Sequence, residues 1–182
     1  KAGAFGKNPT EVASADADQM FLTGKAAMRL QGNWFTESIY VDKNTVVKDK
    51  VKAVAFPMFS KGKDSDYVGG FIDSIFVNKN TAHPKEAVDF DLFLCKRLAK
   101  ARDESGQGFS GFTDPVDESK LQPVAKQVAD LANKGVNGVI AWDTALDENT
   151  ATTHLEQVQS LFTDAGNPQS VYDAHVDAMN NR

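Results

Sequence analysis

Short apolar runs that alternate with helix-like stretches most constrain what this chain can fold into. Ala26 to Leu30 reads as a short strand with Met28 and Leu30 on one face. "VKAVAFPM" (51–58) reads as a second strand, ended by Pro57, and "SKGKDSD" (60–66) as a polar loop or hairpin tip. "GGFIDSIFVN" (69–78) is a third, apolar on both sides except at Asp73 and Ser74, as in a mostly buried strand. "VNGVIAWDTAL" (136–146) is a further extended stretch.

Helix signals lie between these runs. Residues 16–23 read as a helix stopped by Gly24. In "NWFTESIY" Asn33 is placed to cap a helix start, with Glu37 in its first turn. A long helix follows the third strand, with Thr81 as cap, Pro84 in the first turn, and Ala87, Phe90, Leu94 and Leu98 as the apolar stripe. Leu121 to Asn133 is amphipathic and closes at Lys134-Gly135, and two last helices fall near 150–165 and 168–180, the first capped by Asp147 or Asn149. Strands alternating with helices predict an α/β fold. About four strands with a helical C-terminal third hardly close a sheet of their own. Together with an opening at Lys1 that reads like mid-element sequence, this predicts a part of a longer protein.

Charge and composition exclude some roles. The net charge is -5, whereas phosphate binding needs a concentrated basic face, so nucleic acid is not an expected partner. Lysines 48, 50 and 52 alternate with Asp49 and Val51 and read as a solvated edge. No apolar run approaches the ~20 residues of a membrane helix. Cys95 is alone, so no internal disulfide is possible, and its spacing puts it with the apolar side of a helix.

Several catalytic signatures fail on their mechanics. "GQGFSG" matches G-x-G-x-x-G at Gly106, Gly108 and Gly111, but it follows a basic helix rather than a strand. "TGKAA" lacks the first glycine of a phosphate loop and the hydroxyl after Lys25. His83, His154 and His175 are far apart and lack partners at metal-ligand spacing, so no metal and no cofactor is expected. "DTALDEN" has three acids without the alternation or glycine of a calcium loop. Asp73 and Asp143 would suit a carboxylate pair for glycoside hydrolysis, but sequence does not set their separation.

The aromatic residues remain. Trp34 follows a strand end, Trp142 lies in an extended stretch, and Phe71 follows Gly69-Gly70. Core packing accounts for most tryptophans. Strand ends that open onto helices, however, are where α/β sheets bind ligands, and Gly32, Gly69 and Gly70 permit close approach. A flat indole suits the C–H face of a sugar. Burying ~150–250 Å² per aromatic at ~25 cal/mol per Å² contributes several kcal/mol before ordering costs. No catalytic group is required.

"FLTGKAAMRLQGNWF", "VKAVAFPMF" and "YVGGFIDSIFVNKNTAHPKEAVDFDLFL" together resemble the bacterial extracellular solute-binding proteins of family 1, the maltose-binding-protein-like components of sugar ABC importers. The matching positions are Phe21, Gly24 to Met28, Gly32, Trp34, Phe56-Pro57, Gly69-Gly70 and Lys85-Glu86-Ala87, and "AWDTAL" and "NPQSVYDAHVDAM" resemble the closing segment. The helix end "FDLFLCKRLAKARD" departs from the family's polar run, and the first lobe's opening βα units have no counterpart. The resemblance implies a periplasmic-binding-protein-like (type II) two-lobe α/β fold of which only the C-terminal portion is present. Residues 1–68 would belong to the C-terminal lobe, 69–137 would cross to the N-terminal lobe, and 138–182 would return. It further implies a non-enzymatic carrier outside the cytoplasm, periplasmic or lipid-anchored. Such a carrier would take a sugar or oligosaccharide to ABC permease subunits. Trp34 is then the stacking residue, with Gly32, Trp142, Gly70, Phe71 and Asp73 as further cleft positions. The alternatives are a carbohydrate hydrolase with acidic cleft residues, a polyamine or other non-sugar binder on the same frame, and an adhesion module whose tryptophans are core.

Overall fold

The computed structural model describes residues 4–57, 62–63, 65–69, 74–106, 117–135, 137–163 and 167–181. Seven helices and two strands are assigned among them. The helices are α1 (Ser14–Leu22), α2 (Phe35–Val41), α3 (Pro84–Glu104), α4 (Pro123–Ala132), α5 (Trp142–Ala145), α6 (Glu148–Ser160) and α7 (Pro168–Asn180). The strands are β1 (Asp66–Val68) and β2 (Asn137–Val139), and 3-10 turns occupy Pro9–Glu11 and Glu118–Lys120. The chain divides into two compact units, one of Lys1–Gln19, Val68–Gly70 and Gly138–Arg182, the other of Met20–Tyr67 and Phe71–Asn137.

In the second unit the core begins where α1 stops. Gly24 has a left-handed φ of 74°. Its amide donates to the Phe21 carbonyl at 3.0 Å, and the Lys25 amide to that of Met20 at 2.8 Å. This pair of bonds closes the last turn in the Schellman manner and satisfies carbonyls the helix leaves open. The Leu22 carbonyl accepts from Val46 N at 2.9 Å, which brings the segment after α2 back against α1. Leu22, only 1% exposed, packs with Phe35, Ile39 and Val124, and Phe21, Tyr40, Val47, Val51, Ala53 and Val128 surround this group. Two polar links pin α4 to it: Val124 N donates to Tyr40 Oη at 3.3 Å, and Ala53 N to Gln127 Oε1 at 2.9 Å.

The strands are fewer than the sequence predicts. Residues 26–30 and 51–57 are not paired as strands, and neither is 74–78, the described part of the third predicted run. Met28 is 88% and Phe76 89% exposed. Period-two alternation makes a strand only when a neighbouring strand supplies the ladder, and among the described residues no strand pairs with these runs. The observed pair forms where the sequence predicts a loop end and an extended stretch. Asn137 N donates to Ser65 O at 3.2 Å and Gly69 N to Val139 O at 3.1 Å. Residue numbers rise together along both strands, so the pair is parallel, and a long crossover must join them.

In α3 the expected stripe is only partly covered: Phe90 and Leu98 are exposed, while Ala87 and Leu94 are half-buried. Gly106, just past its end, accepts from Gln122 N at 2.8 Å and so ties α3 to the start of α4. In the first unit α6 packs on α7, with Thr150 and Ala178 buried. Asp147 caps α6 by accepting from Thr150 N at 3.1 Å, and Asn167 caps α7 by accepting from Ser170 N at 3.2 Å. Phe5 meets Phe162 edge to face at 5.5 Å, and Gln159 donates to Thr10 O at 3.3 Å.

Two expectations follow. Leu22→Ala should lower unfolding free energy by about 2–5 kcal/mol, read by urea denaturation, because its cavity opens at the centre of the cluster. Asp66 accepts from Lys63 N at 2.8 Å and Asn137 Nδ2 at 2.9 Å, and its carboxyl is held below the ordinary 3.8, first by the Lys63 amide and then by Asn137. A depressed folded value means that the stabilisation is full above the ordinary value and disappears as pH falls through the lowered one. Asp66→Asn should therefore flatten the acid limb of a stability-versus-pH curve, lowering stability near neutrality and changing it little at pH below the lowered value.

Candidate functional site

"QGNWF" changes direction within five residues. Gln31 folds its side chain back so that Oε1 accepts from Gly32 N at 3.0 Å. The Gly32 carbonyl accepts from Phe35 N at 3.1 Å, and the Asn33 carbonyl from both Thr36 N at 3.2 Å and Thr36 Oγ1 at 2.9 Å. The predicted cap is corrected here: α2 opens on Trp34, and Asn33 contributes its carbonyl to the turn. Phe35 then enters the core at 8% exposure, 5.9 Å from the Phe21 ring, while Trp34 is 56% exposed. Successive residues at a helix start point about 100° apart, so burying one turns the other outward.

Gly32 matters for a second reason. A Cβ built there would overlap Cζ3 and Cη2 of Trp34, so the indole lies back across the glycine. The site is thus an exposed aromatic plate seated on a residue without a side chain. The structure brings Gly32 and Trp34 together. Trp142, expected in an extended stretch, instead opens the short helix α5 in the other compact unit, with Asp143 in its first turn. Gly70, Phe71 and Asp73 lie outside the described residues. Gln31 and Phe35 were not singled out from sequence. The alternation of a glycine and two aromatics was the available signal for Phe35, and Gln31 had none.

A separate cavity of about 180 Å³ lies among Thr36, Glu37, Tyr40, Lys48, Ser105 and Gln122, without Trp34 in its lining. It is smaller than the ~300 Å³ at which ligand pockets usually begin. Among the described residues no cluster of three metal-ligating side chains occurs, and no helix is long and apolar enough to cross a membrane. The expectation that the histidines stand apart is corrected. His154 Nδ1 and His175 Nε2 are 2.9 Å apart, because the α6–α7 hairpin folds 21 residues of sequence back on itself.

The helix-stop glycine of α1 and the glycine under the indole both lie within the segment that a family model matches. The chain is a member of the bacterial extracellular solute-binding protein family, whose model matches residues 1–94. Proteins of this family generally bind solutes rather than catalyse reactions, and the membership places the chain outside the cytoplasm. Its fold is that of a structure solved in work on xylan utilization by the thermophilic bacterium Caldanaerobius polysaccharolyticus. That structure is 28% identical with a TM-score of 0.81, over 96% of this chain and 44% of the other. The chain therefore spans less than half the length of that protein and holds part of a solute-binding fold. No curated protein matches the sequence.

Gly32→Ala should displace the indole, since the added methyl takes its place. In a Trp142→Phe background the Trp34 emission maximum and quenching should change while far-UV circular dichroism stays the same. An unaltered emission spectrum would mean that the ring does not rest on Gly32.

Proposed function

We propose that the complete protein is the substrate-binding component of an ABC importer. It takes a sugar or oligosaccharide in a cleft between its lobes and delivers it to membrane permease subunits, with no bond chemistry of its own. The complete protein would be periplasmic or tethered to the cell surface as a lipoprotein. The observation that carries this reading is Trp34, an indole more than half exposed and seated across Gly32. Such a ring costs solvation while it waits for a partner, and a pyranose covers it with apolar C–H groups at little ordering cost. The neighbouring structure's connection with xylan utilization favours a plant-type oligosaccharide over a polyamine.

Trp142, Gly70, Phe71 and Asp73 complete the proposed cleft, the aromatics by stacking and Asp73 by accepting from hydroxyls. In this reading residues 1–68 and 138–182 build the C-terminal lobe and 69–137 visits the other. Closure of the lobes would follow from contacts the ligand makes only in the closed state.

The test is a panel of oligosaccharides and polyamines against the full-length protein, read by thermal shift and tryptophan fluorescence. A saturable upward shift with an oligosaccharide, without product, is expected. Trp34→Ala should weaken binding by about 2 kcal/mol or more and leave the melting temperature of the unliganded protein nearly unchanged. A melting temperature that drops sharply with unchanged affinity would make Trp34 structural and overturn the assignment.

A further inference from the structure

The α6–α7 hairpin carries a pair of groups that solute binding does not use. His154 Nδ1 faces His175 Nε2 at 2.9 Å, and both rings are partly buried, with centroids 5.2 Å apart and planes 70° from parallel. The other nitrogen of His175, Nδ1, lies 2.6 Å from the Val171 carbonyl. A carbonyl only accepts, so Nδ1 carries the proton and the Nε2 of the neutral ring presents a lone pair toward His154. Metal-binding histidines characteristically show this arrangement, one nitrogen donating to a backbone carbonyl while the other coordinates.

We propose that His154 and His175 form a two-histidine site for a late first-row divalent cation of the copper or nickel type, clasping α6 to α7. Two imidazole nitrogens brought together on one hairpin suit this ion class, because the affinity of nitrogen ligands for divalent first-row ions rises toward nickel and copper, and water fills the remaining positions.

Binding turns each ring so that its lone pair leaves the nitrogen–nitrogen line and meets the ion, a movement within the broad χ2 torsion of histidine. His154 stays neutral by carrying its proton on Nε2 instead of Nδ1, so no net charge is lost. The chain's net charge of -5 favours cation approach. The site lies within the first compact unit and does not depend on the identity of the transported solute.

Calorimetric titration of the 182-residue chain with Ni²⁺ near neutral pH tests this. One saturable site is expected, and His154→Gln and His175→Gln should each weaken it at least about tenfold, while His83→Gln leaves it unchanged. Electron paramagnetic resonance of the Cu²⁺-loaded unaltered chain provides a readout that needs no variant, and nitrogen splitting from two imidazoles is expected. Equal Ni²⁺ affinity in the His154→Gln/His175→Gln double variant, an equal loss in His83→Gln, or a Cu²⁺ spectrum with fewer than two imidazole nitrogens would each overturn the site.

Discussion

Burial of Phe35 beside Leu22 organises the described core and the candidate site together. The phenyl ring lies in the contact where α1, α2 and α4 meet, with Ile39 one turn further along α2 and Val124 opposite. Because Phe35 must point inward, its predecessor on the helix cannot. Trp34 is held out of the core by the same burial free energy that holds Phe35 in it. The core therefore orients the exposed indole. Gly32 completes the arrangement by leaving room for the ring to lie back against the main chain.

The extended segments follow a different constraint. β1 and β2 pair in parallel, and parallel pairing needs a long excursion of chain between partners. That excursion carries α3, whose Val88, Phe90, Leu92, Phe93 and Leu98 remain exposed. Met28, Leu30, Val54, Phe56 and Ile75 are exposed as well, on runs whose alternation suits a sheet. These apolar positions lack a covering layer among the described residues. The helical hairpin α6–α7 differs: its contacts are local in sequence, so it packs without help from distant strands.

Much of the helical framework was legible in sequence because its signals are local. Gly24 ends α1 through bonds that reach only five residues back. Asp147 caps α6 through an amide three residues on. The strands were misread because a ladder is a relation between distant segments. Residues 51–57 carry strand alternation but hold to α4 through Gln127, a partner 74 residues away from Ala53. The histidines were misjudged for the same reason, since linear separation hides a hairpin contact.

By itself, the sequence determined the stop of α1 at Gly24, the start of α3 at Pro84 and the family pattern from Phe21 to Trp34. These depend on backbone geometry and bonding within one or two turns. Only the tertiary structure decided that Phe35 goes in and Trp34 out, that Met28 and Phe76 stay uncovered, and that His154 meets His175. Each of these depends on what lies opposite, and hydrophobic burial and hydrogen bonding act between surfaces that the linear order does not place together.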